Sequence, residues 1–207
     1  MADYKTIRGT ATFEYEEKRS RFIATASFAD TEEKALVVLN AVRAANRTAR
    51  HNVYAYVLQN GRTRYSDDGE PAKTAGTPVL ETIGHAGVSD VIVVVTRYFG
   101  GILLGSGGLI RAYSTGASIA VKAASKAKIV PCGEYQVILD YPQLGSFQNL
   151  LSTVEGEQTD AQYTDRIALT VVVPQEQANV FESRVVETFN ATVVPQLVGT
   201  SNRPVKV

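Results

Sequence analysis

Apolar residues in the first half of the chain recur mainly at the spacing of β-strands, and turn residues separate the apolar segments. Alternating segments, or an uninterrupted β-branched run such as VIVVVTRY, are typical of strands. The predicted strands are 6–15, 21–30, 52–58, 62–66 and 91–98. Asn60-Gly61 lies between the third and the fourth strand. Because both residues tolerate positive φ, this pair predicts a β-hairpin.

Helix signals lie between these strands. They predict helices from Asp30 or Thr31 to about Arg47, from Thr77-Pro78 to Gly84–Gly87, and from about Gly108 to Lys128. Asp30 and Thr31 both carry side-chain oxygens that can cap the first helix. Thr77-Pro78 offers an N-cap followed by proline at the first helical position, where the missing N–H needs no partner.

The second half of the chain shows a different order of elements. Beyond Pro131-Cys132-Gly133 the pattern predicts strand, helix, strand, strand, helix and strand, at 134–141, 143–154, 157–163, 166–173, 175–189 and 191–198. This βαββαβ order is that of a ferredoxin-like domain with an antiparallel sheet. The tail from residue 199 is predicted to be frayed. We therefore predict an α+β protein with two domains, residues 1–131 and 132–207.

Composition narrows the class of protein. A hydrophobic content of 44% is ordinary for a soluble globular chain. No apolar run reaches the roughly 20 residues of a membrane span, and MADYKTIRGT lacks the apolar stretch of a signal peptide. Cys132 is the only cysteine, which excludes an intrachain disulfide and a zinc site built on several thiolates. We expect a cytoplasmic protein that does not bind membranes.

The formal net charge of zero conceals an asymmetry between the two halves. Up to Cys132 there are 17 Lys and Arg against 12 Asp and Glu, a balance of +5. From Gly133 onward there are 4 against 9, a balance of −5. Opposite signs favour two units, of which the basic one faces an anionic partner. The alternative is two ordinary solvated surfaces, since this bias is modest.

A glycine-rich stretch, TRYFGGILLGSGGLIRAY, spans residues 96–113 and holds five glycines. It does not match the specific phosphate-binding motifs. A dinucleotide fingerprint that begins at Gly105 needs a glycine where Ile110 stands. A P-loop that begins at Gly100 meets Ser106 instead of lysine.

A less specific interpretation remains for this stretch. A buried strand, a loop with exposed N–H groups and a helix N-terminus together attract anions, because the N–H groups and the helix dipole both favour negative charge. Arg97 and Arg111 flank the loop and add positive charge if both point towards it. The alternative is close packing of strand against helix, in which glycines such as Gly107 adopt positive φ or allow close approach.

An acidic loop, RYSDDGEPAKTAGTPVL at residues 64–80, places Asp67, Asp68 and Glu70 within four positions. Three carboxylates at this spacing are a candidate site for a hard cation such as Mg²⁺, although the spacing departs from that of a calcium loop. Asp-Gly is also a common turn pair, and its carboxylate accepts hydrogen bonds from turn amides. We favour the turn interpretation.

The chain shows no recognisable catalytic set. His51 and His85 are not spaced as a ligand pair, so a histidine-based metal site has little support. No metal or cofactor is predicted. The serines lack a nucleophile-elbow pattern. His51 can reach the acidic loop as an acid–base pair, although a structural, hydrogen-bonded histidine is the simpler interpretation.

Long segments of the first half resemble a known family. YSDDGEPAKTAGTPVL and VVVTRYFGGILLGSGGLIRAY, together with SRFIA and HNVYAY, closely resemble the YigZ/IMPACT family of conserved cytoplasmic proteins over most of residues 18–115. The resemblance implies an N-terminal two-layer α/β domain of the kind found in ribosomal proteins and metabolite kinases. It implies a C-terminal domain resembling the last domain of elongation factor G. It also implies a link to translation, since eukaryotic relatives are associated with control of initiation by binding the activator of a stress kinase.

Two positions depart from the family pattern. The glycine-rich loop usually contains GGIKLG, and Leu103 replaces the lysine here. The acidic loop usually contains GEPSGTAG, and Ala72-Lys73 replaces Ser-Gly. If the two loops face each other, Lys73 supplies the positive charge that Leu103 lacks.

We therefore predict a cytoplasmic, translation-associated binding protein that contacts RNA or the ribosome. Its candidate anion- or nucleic-acid-binding residues are His51, Lys73, Arg97, Tyr98, Gly100, Gly101, Gly105, Ser106, Gly107, Gly108 and Arg111, next to the acidic-loop residues Asp67, Asp68 and Glu70. The candidates for stacking on bases are Tyr65, Tyr98, Phe99 and Tyr113. Two alternatives remain. One is an enzyme that acts on a phosphorylated small molecule through LLGSGGLIRA, although the paired serines of such loops are missing; the other is a protein–protein adaptor.

Overall fold

The computed structural model describes residues 4–206 of the chain. Its strands are β1 (Lys5–Arg8), β2 (Thr10–Glu17), β3 (Ser20–Phe28), β4 (His51–Val57), β5 (Thr63–Ser66), β6 (Val91–Tyr98), β7 (Ser125–Leu139), β8 (Glu157–Tyr163), β9 (Ile167–Pro174) and β10 (Gln196–Lys206). Its helices are α1 (Glu32–Ala45), α2 (Gly76–Ala86), α3 (Gly105–Ala123), α4 (Leu144–Thr153) and α5 (Ala178–Thr188). Of these helices, none combines the length and the apolar character needed to cross a membrane.

The described residues divide into two units. The first contains the residues up to Lys128 and those from Pro204 onward, and the second contains Ile129–Arg203. The prediction of an α+β chain with two domains is confirmed. The predicted boundary, Pro131-Cys132-Gly133, lies within β7, so its turn residues do not interrupt the strand.

The first unit is built on an antiparallel sheet with the strand order β2-β3-β6-β4-β5. Along its central strand β6, Val91, Val93 and Val95 pack with α2 and α3, whereas Ile92 and Val94 pack with α1 on the opposite face. Helices therefore cover both faces of the sheet, and the unit has three layers where the family resemblance implies two. Burial of both faces requires the apolar residue that β6 carries at each of these positions.

Two local signals of this unit act as predicted. Thr31 is the residue that caps α1, since its Oγ1 accepts a hydrogen bond from the N–H of Lys34 at 3.2 Å. Asn60-Gly61 joins β4 to β5, with Gly61 in the left-handed region at φ +83°. In both cases the residues that decide the structure are within a few positions of one another.

The start of α2 differs from the prediction. The helix begins at Gly76, one residue before Thr77. The carboxylate of Asp67, in the acidic loop, accepts hydrogen bonds from the N–H groups of Ala75 and Gly76 at 3.1 and 2.8 Å. A distant side chain therefore takes the capping role, which a local sequence pattern does not show. Gly87 ends the helix at φ +64°, as predicted.

The third helix begins and ends earlier than predicted. α3 spans Gly105–Ala123, and residues 125–128 belong to β7. These residues pair with β1 in an antiparallel ladder that sets Lys5 opposite Lys128. The two strands of this ladder are far apart in the sequence. The local sequence at 125–128 therefore continues the helical pattern and does not indicate a strand.

The second unit has the ferredoxin-like arrangement that the sequence predicts. Its strands follow the order β8-β9-β7-β10, with α4 between β7 and β8 in the chain and α5 between β9 and β10. Its core joins the inward side chains of β7 and β9 to Phe147 of α4 and Phe181 of α5. This unit carries no histidine, and its single cysteine, Cys132, is buried.

The last strand differs from the prediction. β10 spans Gln196–Lys206 instead of 191–198. Asn190 and Ala191 both have positive φ, 50° and 63°, so the chain turns where the strand was expected to begin. The tail predicted to be frayed therefore belongs to a strand as far as it is described, and Val207 lies outside the described residues.

Candidate functional site

A cavity of about 380 Å³ opens on the first unit, where β4 begins and β6 ends. It is lined by Arg50, His51, Gly69, Glu70, Pro71, Arg97, Phe99, Leu103, Leu104, Gly105, Ser106 and Leu109. The acidic loop and the glycine-rich loop therefore face the same space. We call this space the β4–β6 cavity.

A buried ion pair forms part of the cavity wall. Nη1 of Arg97 donates to Oε1 of Glu70 at 2.7 Å, and the two side chains are only 6% and 4% exposed. Nη2 of Arg97 lies 3.3 Å from the Ser20 hydroxyl. Arg97 Nε has no hydrogen-bond partner among the described residues. Because both side chains are more than nine-tenths buried, each charge depends mainly on the other for stabilisation.

Tyr113, on α3, adds a hydrogen bond to this buried ion pair. Its hydroxyl donates to the same Glu70 oxygen at 2.8 Å, and its ring packs edge-on against Phe22. Burial and the Glu70 carboxylate raise the pKa of Tyr113 well above its ordinary value. Tyr113 is therefore a permanent hydrogen-bond donor to Glu70 at physiological pH. Its complete burial removes it from the candidates for stacking on bases.

His51 lies at the start of β4, directly opposite Arg97 in the sheet. Its Nδ1 is 2.8 Å from the backbone oxygen of Asp68, and its Nε2 is 3.8 Å from Glu70 Oε1. A carbonyl oxygen can only accept, so Nδ1 carries the hydrogen of that bond. This leaves Nε2 on the Glu70 side. His51 thus reaches the acidic loop and is held there by a contact with the backbone.

The Asp67 and Asp68 carboxylates of the acidic loop accept hydrogen bonds mainly from backbone N–H groups. Asp67 accepts from Lys73 as well as from Ala75 and Gly76, and Asp68 accepts from the N–H of Asn52 at 2.6 Å. This is the bonding that a turn requires. Within residues 4–206 no group of three His, Cys, Asp or Glu is arranged to hold a metal ion.

The glycine-rich loop combines close packing with an open helix start. A Cβ on Gly100 would lie 1.8 Å from the carbonyl oxygen of Arg19, so only glycine fits there. Gly105 begins α3 at φ +71°, and no side chain within residues 4–206 caps that helix. Gly107 has neither positive φ nor close neighbours, since its nearest contact would be Arg111 Nη1 at 3.7 Å. The expectation of a special conformation at Gly107 is therefore wrong.

Several predicted site residues lie away from the cavity. Arg111 is exposed on α3 and does not line it. Lys73 does not line it either, although the two loops do face each other. Tyr98 points to the other face of the sheet, where its hydroxyl donates to Asn46 at 2.9 Å. Of the predicted anion-site residues, the lining contains His51, Arg97, Gly105 and Ser106.

Arg50, which no sequence motif indicates, also lines the cavity and lies at its mouth. Its guanidinium stands 5.8 Å from the ring centre of Phe99, and that of Arg97 stands 5.4 Å from the same ring. Phe99 is 39% exposed. Arg50 is exposed, and no carboxylate of the described residues lies within ion-pair distance of it. Only the pairing of His51 with Arg97 brings Arg50 beside Phe99, and that register is not visible in the sequence.

A larger groove of about 650 Å³ runs along α2 and α3, with Thr82, His85, Ser118 and Lys122 among its residues. The Thr82 hydroxyl donates within its own helix, to the carbonyl of Pro78. No charged residue in this lining is buried. The β4–β6 cavity, which joins buried charges to an exposed ring, is therefore the candidate functional site.

Comparison with known proteins places the cavity in a recognised domain. Residues 18–121 match the family model described as the Impact N-terminal domain, and residues 137–192 match a domain of unknown function, DUF1949. "IMPACT family member YigZ" of Escherichia coli (strain K12) is 35% identical over 174 residues, which cover 82% of this chain and 85% of that protein. "Protein IMPACT homolog" of Dictyostelium discoideum is 39% identical over 95 residues, 43% of this chain and 27% of that protein.

A crystal structure described as that of a hypothetical protein shares this fold, with a TM-score of 0.62 and 32% identity over 96% of this chain and 98% of the other. Every residue that lines the β4–β6 cavity falls within the matched Impact N-terminal domain. The match to the family model covers half of the chain, and the bacterial relative is similar along most of its length. The chain belongs to the IMPACT family.

Proposed function

We propose that the protein is a cytoplasmic, translation-associated binding protein whose first unit contacts RNA, free or within the ribosome, at the β4–β6 cavity. The observation that carries the proposal is the pairing of Arg50 with Phe99 at the cavity mouth. A partly exposed ring next to a guanidinium that no described carboxylate neutralises is the combination used to bind single-stranded nucleic acid. The ring stacks on a base, and the cation contacts phosphate.

The charge of the first half of the chain and its family membership support the same proposal. The residues up to Cys132 carry the +5 balance, so the long-range field of this half favours an anionic partner. Membership of the IMPACT family supports the link to translation, since the resemblance associates eukaryotic members with control of initiation. Of the four stacking candidates, Tyr113 is buried and Tyr98 lies on the other face of the sheet. Tyr65 is 42% exposed but does not line the cavity, so Phe99 is the candidate at this site.

Binding of a fluorescent single-stranded RNA to the full chain, measured over a series of salt concentrations, tests the proposal. Affinity should fall steeply with salt, because phosphate contacts release counterions. Arg50→Gln should weaken binding and reduce the salt slope by about 0.7, the value for one phosphate contact in single strands.

The matched control is Arg62→Gln. Arg62 is an exposed arginine at the hairpin end of β4, away from the cavity. This variant should bind like the parent chain. RNA binding that is absent, or that is equally affected by both substitutions, would overturn the proposal. A partner from the translation machinery whose binding ignores salt would instead favour the adaptor alternative.

A further inference from the structure

The size and depth of the β4–β6 cavity limit what can enter it. Its volume of about 380 Å³ is near the lower end of the 300–1,000 Å³ that small-molecule sites occupy. Glu70 and Arg97 lie almost fully buried in its wall, at 4% and 6% side-chain exposure. Such a space fits one nucleotide rather than a run of several. It is more easily entered by the end of a strand, or by a free nucleotide, than by a strand that must continue on both sides.

Part of the cavity lining is suited to an anion. Gly105 and Ser106 begin the 19-residue helix α3, whose first N–H groups have no side-chain cap. A second observation comes from Arg97, which is only 5% exposed and lines the same cavity. Its terminal nitrogens contact Glu70 and Ser20, but its buried Nε is left without a partner among the described residues. Arg50 adds a cation that no described carboxylate neutralises.

Next to these cations the lining is suited to a flat apolar group. Phe99 and Leu103 are exposed at 39% and 82%, and Leu104 and Leu109 form a buried apolar wall beside them. A base that stacks on Phe99 can keep the hydrogen bonds at its edges, since stacking involves only the face of the base. The anion-binding groups and the apolar groups therefore share one space of nucleotide size.

From this juxtaposition we infer that the β4–β6 cavity binds a nucleotide whose phosphate is a terminal monoester. The inference rests on the proposed function and names the part of the RNA that the site takes. A monoester carries close to two negative charges near neutral pH, whereas a phosphodiester within a strand carries one. The monoester can also present three terminal oxygens to the α3 N–H groups and to Arg50. The end of an RNA and a free mononucleotide share this chemistry.

Four probes separate these possibilities on the full chain: one short single-stranded RNA with a 5′-phosphate, the same RNA with a 3′-phosphate, the same RNA with hydroxyls at both ends, and adenosine 5′-monophosphate. One of the phosphorylated RNAs should bind at least ten-fold more tightly than the RNA with two hydroxyls. Arg50→Gln and Phe99→Leu should each reduce that preference, while Arg62→Gln should leave it unchanged.

The outcomes distinguish this inference from the proposed function. Equal affinity for all three RNAs would overturn the inference and leave RNA binding in place, as expected if an internal base enters the cavity. Binding of the mononucleotide without binding of any RNA would support the inference with a free nucleotide as the source, and would overturn the proposed function. Absence of binding by all four probes would overturn both.

Discussion

Removing the guanidinium of Arg97 should cost more stability than removing any exposed arginine of the first unit. In Arg97→Met the Glu70 carboxylate keeps its hydrogen bond from Tyr113 but loses the cation 2.7 Å away, in a place where its side chain is only 4% exposed. Breaking one partner of such a buried pair costs about 3–5 kcal/mol, because the remaining charge stays desolvated and unpaired. We expect the free energy of unfolding to fall by an amount in that range.

The double variant Glu70→Gln/Arg97→Met separates the pair from the packing of each side chain. With both charges gone, no buried ion is left without a partner. The loss in free energy of unfolding should therefore be smaller in the double variant than the sum of the losses in the two single variants. A coupling free energy of about 2 kcal/mol is expected for groups in such direct contact. Guanidinium unfolding followed by far-UV circular dichroism measures all four proteins.

Arg21→Gln is the matched control on the same sheet. Arg21 pairs with Glu14 at 2.5 Å, but both side chains are half exposed, and pairs of this kind contribute little because water screens them. Its unfolding midpoint should stay close to that of the parent chain. A loss in Arg97→Met no larger than the loss in Arg21→Gln would refute the reasoning, because it would mean that Glu70 finds water once Arg97 is gone.

Three further outcomes follow from the same unit. Asp67→Ala should lower the free energy of unfolding by about 1–2 kcal/mol in thermal or chemical unfolding, since it removes the cap of α2; full stability would contradict that role. Gly100→Ala should destabilise the chain strongly because its Cβ would collide with the Arg19 carbonyl, whereas Gly107→Ala, with open space around it, should be neutral or stabilising through helix propensity. The raised pKa of Tyr113 means that its folded-state proton is held more tightly, so its contribution to stability is complete below about pH 10 and is lost as the pH rises further. Tyr113→Phe should therefore make the alkaline loss of stability, followed by circular dichroism, shallower than in the parent.

The elements that could be predicted from the sequence are those decided by neighbouring residues. β6 follows from an apolar run with β-branched residues, the β4–β5 hairpin from Asn60-Gly61, and the ferredoxin-like order from the spacing of short periodic segments. The misplaced boundaries depend on distant partners. Residues 125–128 become a strand because β1 pairs with them, and α2 starts early because Asp67 caps it.

Only part of the candidate site could be predicted, because some of its features are local in sequence and others depend on distant partners. The glycine-rich and acidic loops stand out by composition, so their importance could be inferred before their positions were known. The partner of Arg97 could not be inferred, because in the sequence Glu70 is one of three carboxylates in a turn. In the folded chain Glu70 is buried beside Arg97. Asp67 and Asp68 instead accept hydrogen bonds from backbone N–H groups. Arg50 carries no motif at all. It becomes part of the site through strand register.

The hydrogen bonds of Asp67 have a consequence for hydrogen exchange. One carboxylate holds the amides of Lys73, Ala75 and Gly76, so these amides become exchangeable together when the acidic loop lifts, as one local opening unit. The same loop carries Glu70 into the wall of the β4–β6 cavity. A ligand that holds Glu70 in place would therefore slow exchange at the start of α2, which does not line the cavity. Those amides would report occupancy of the cavity without any label placed within it.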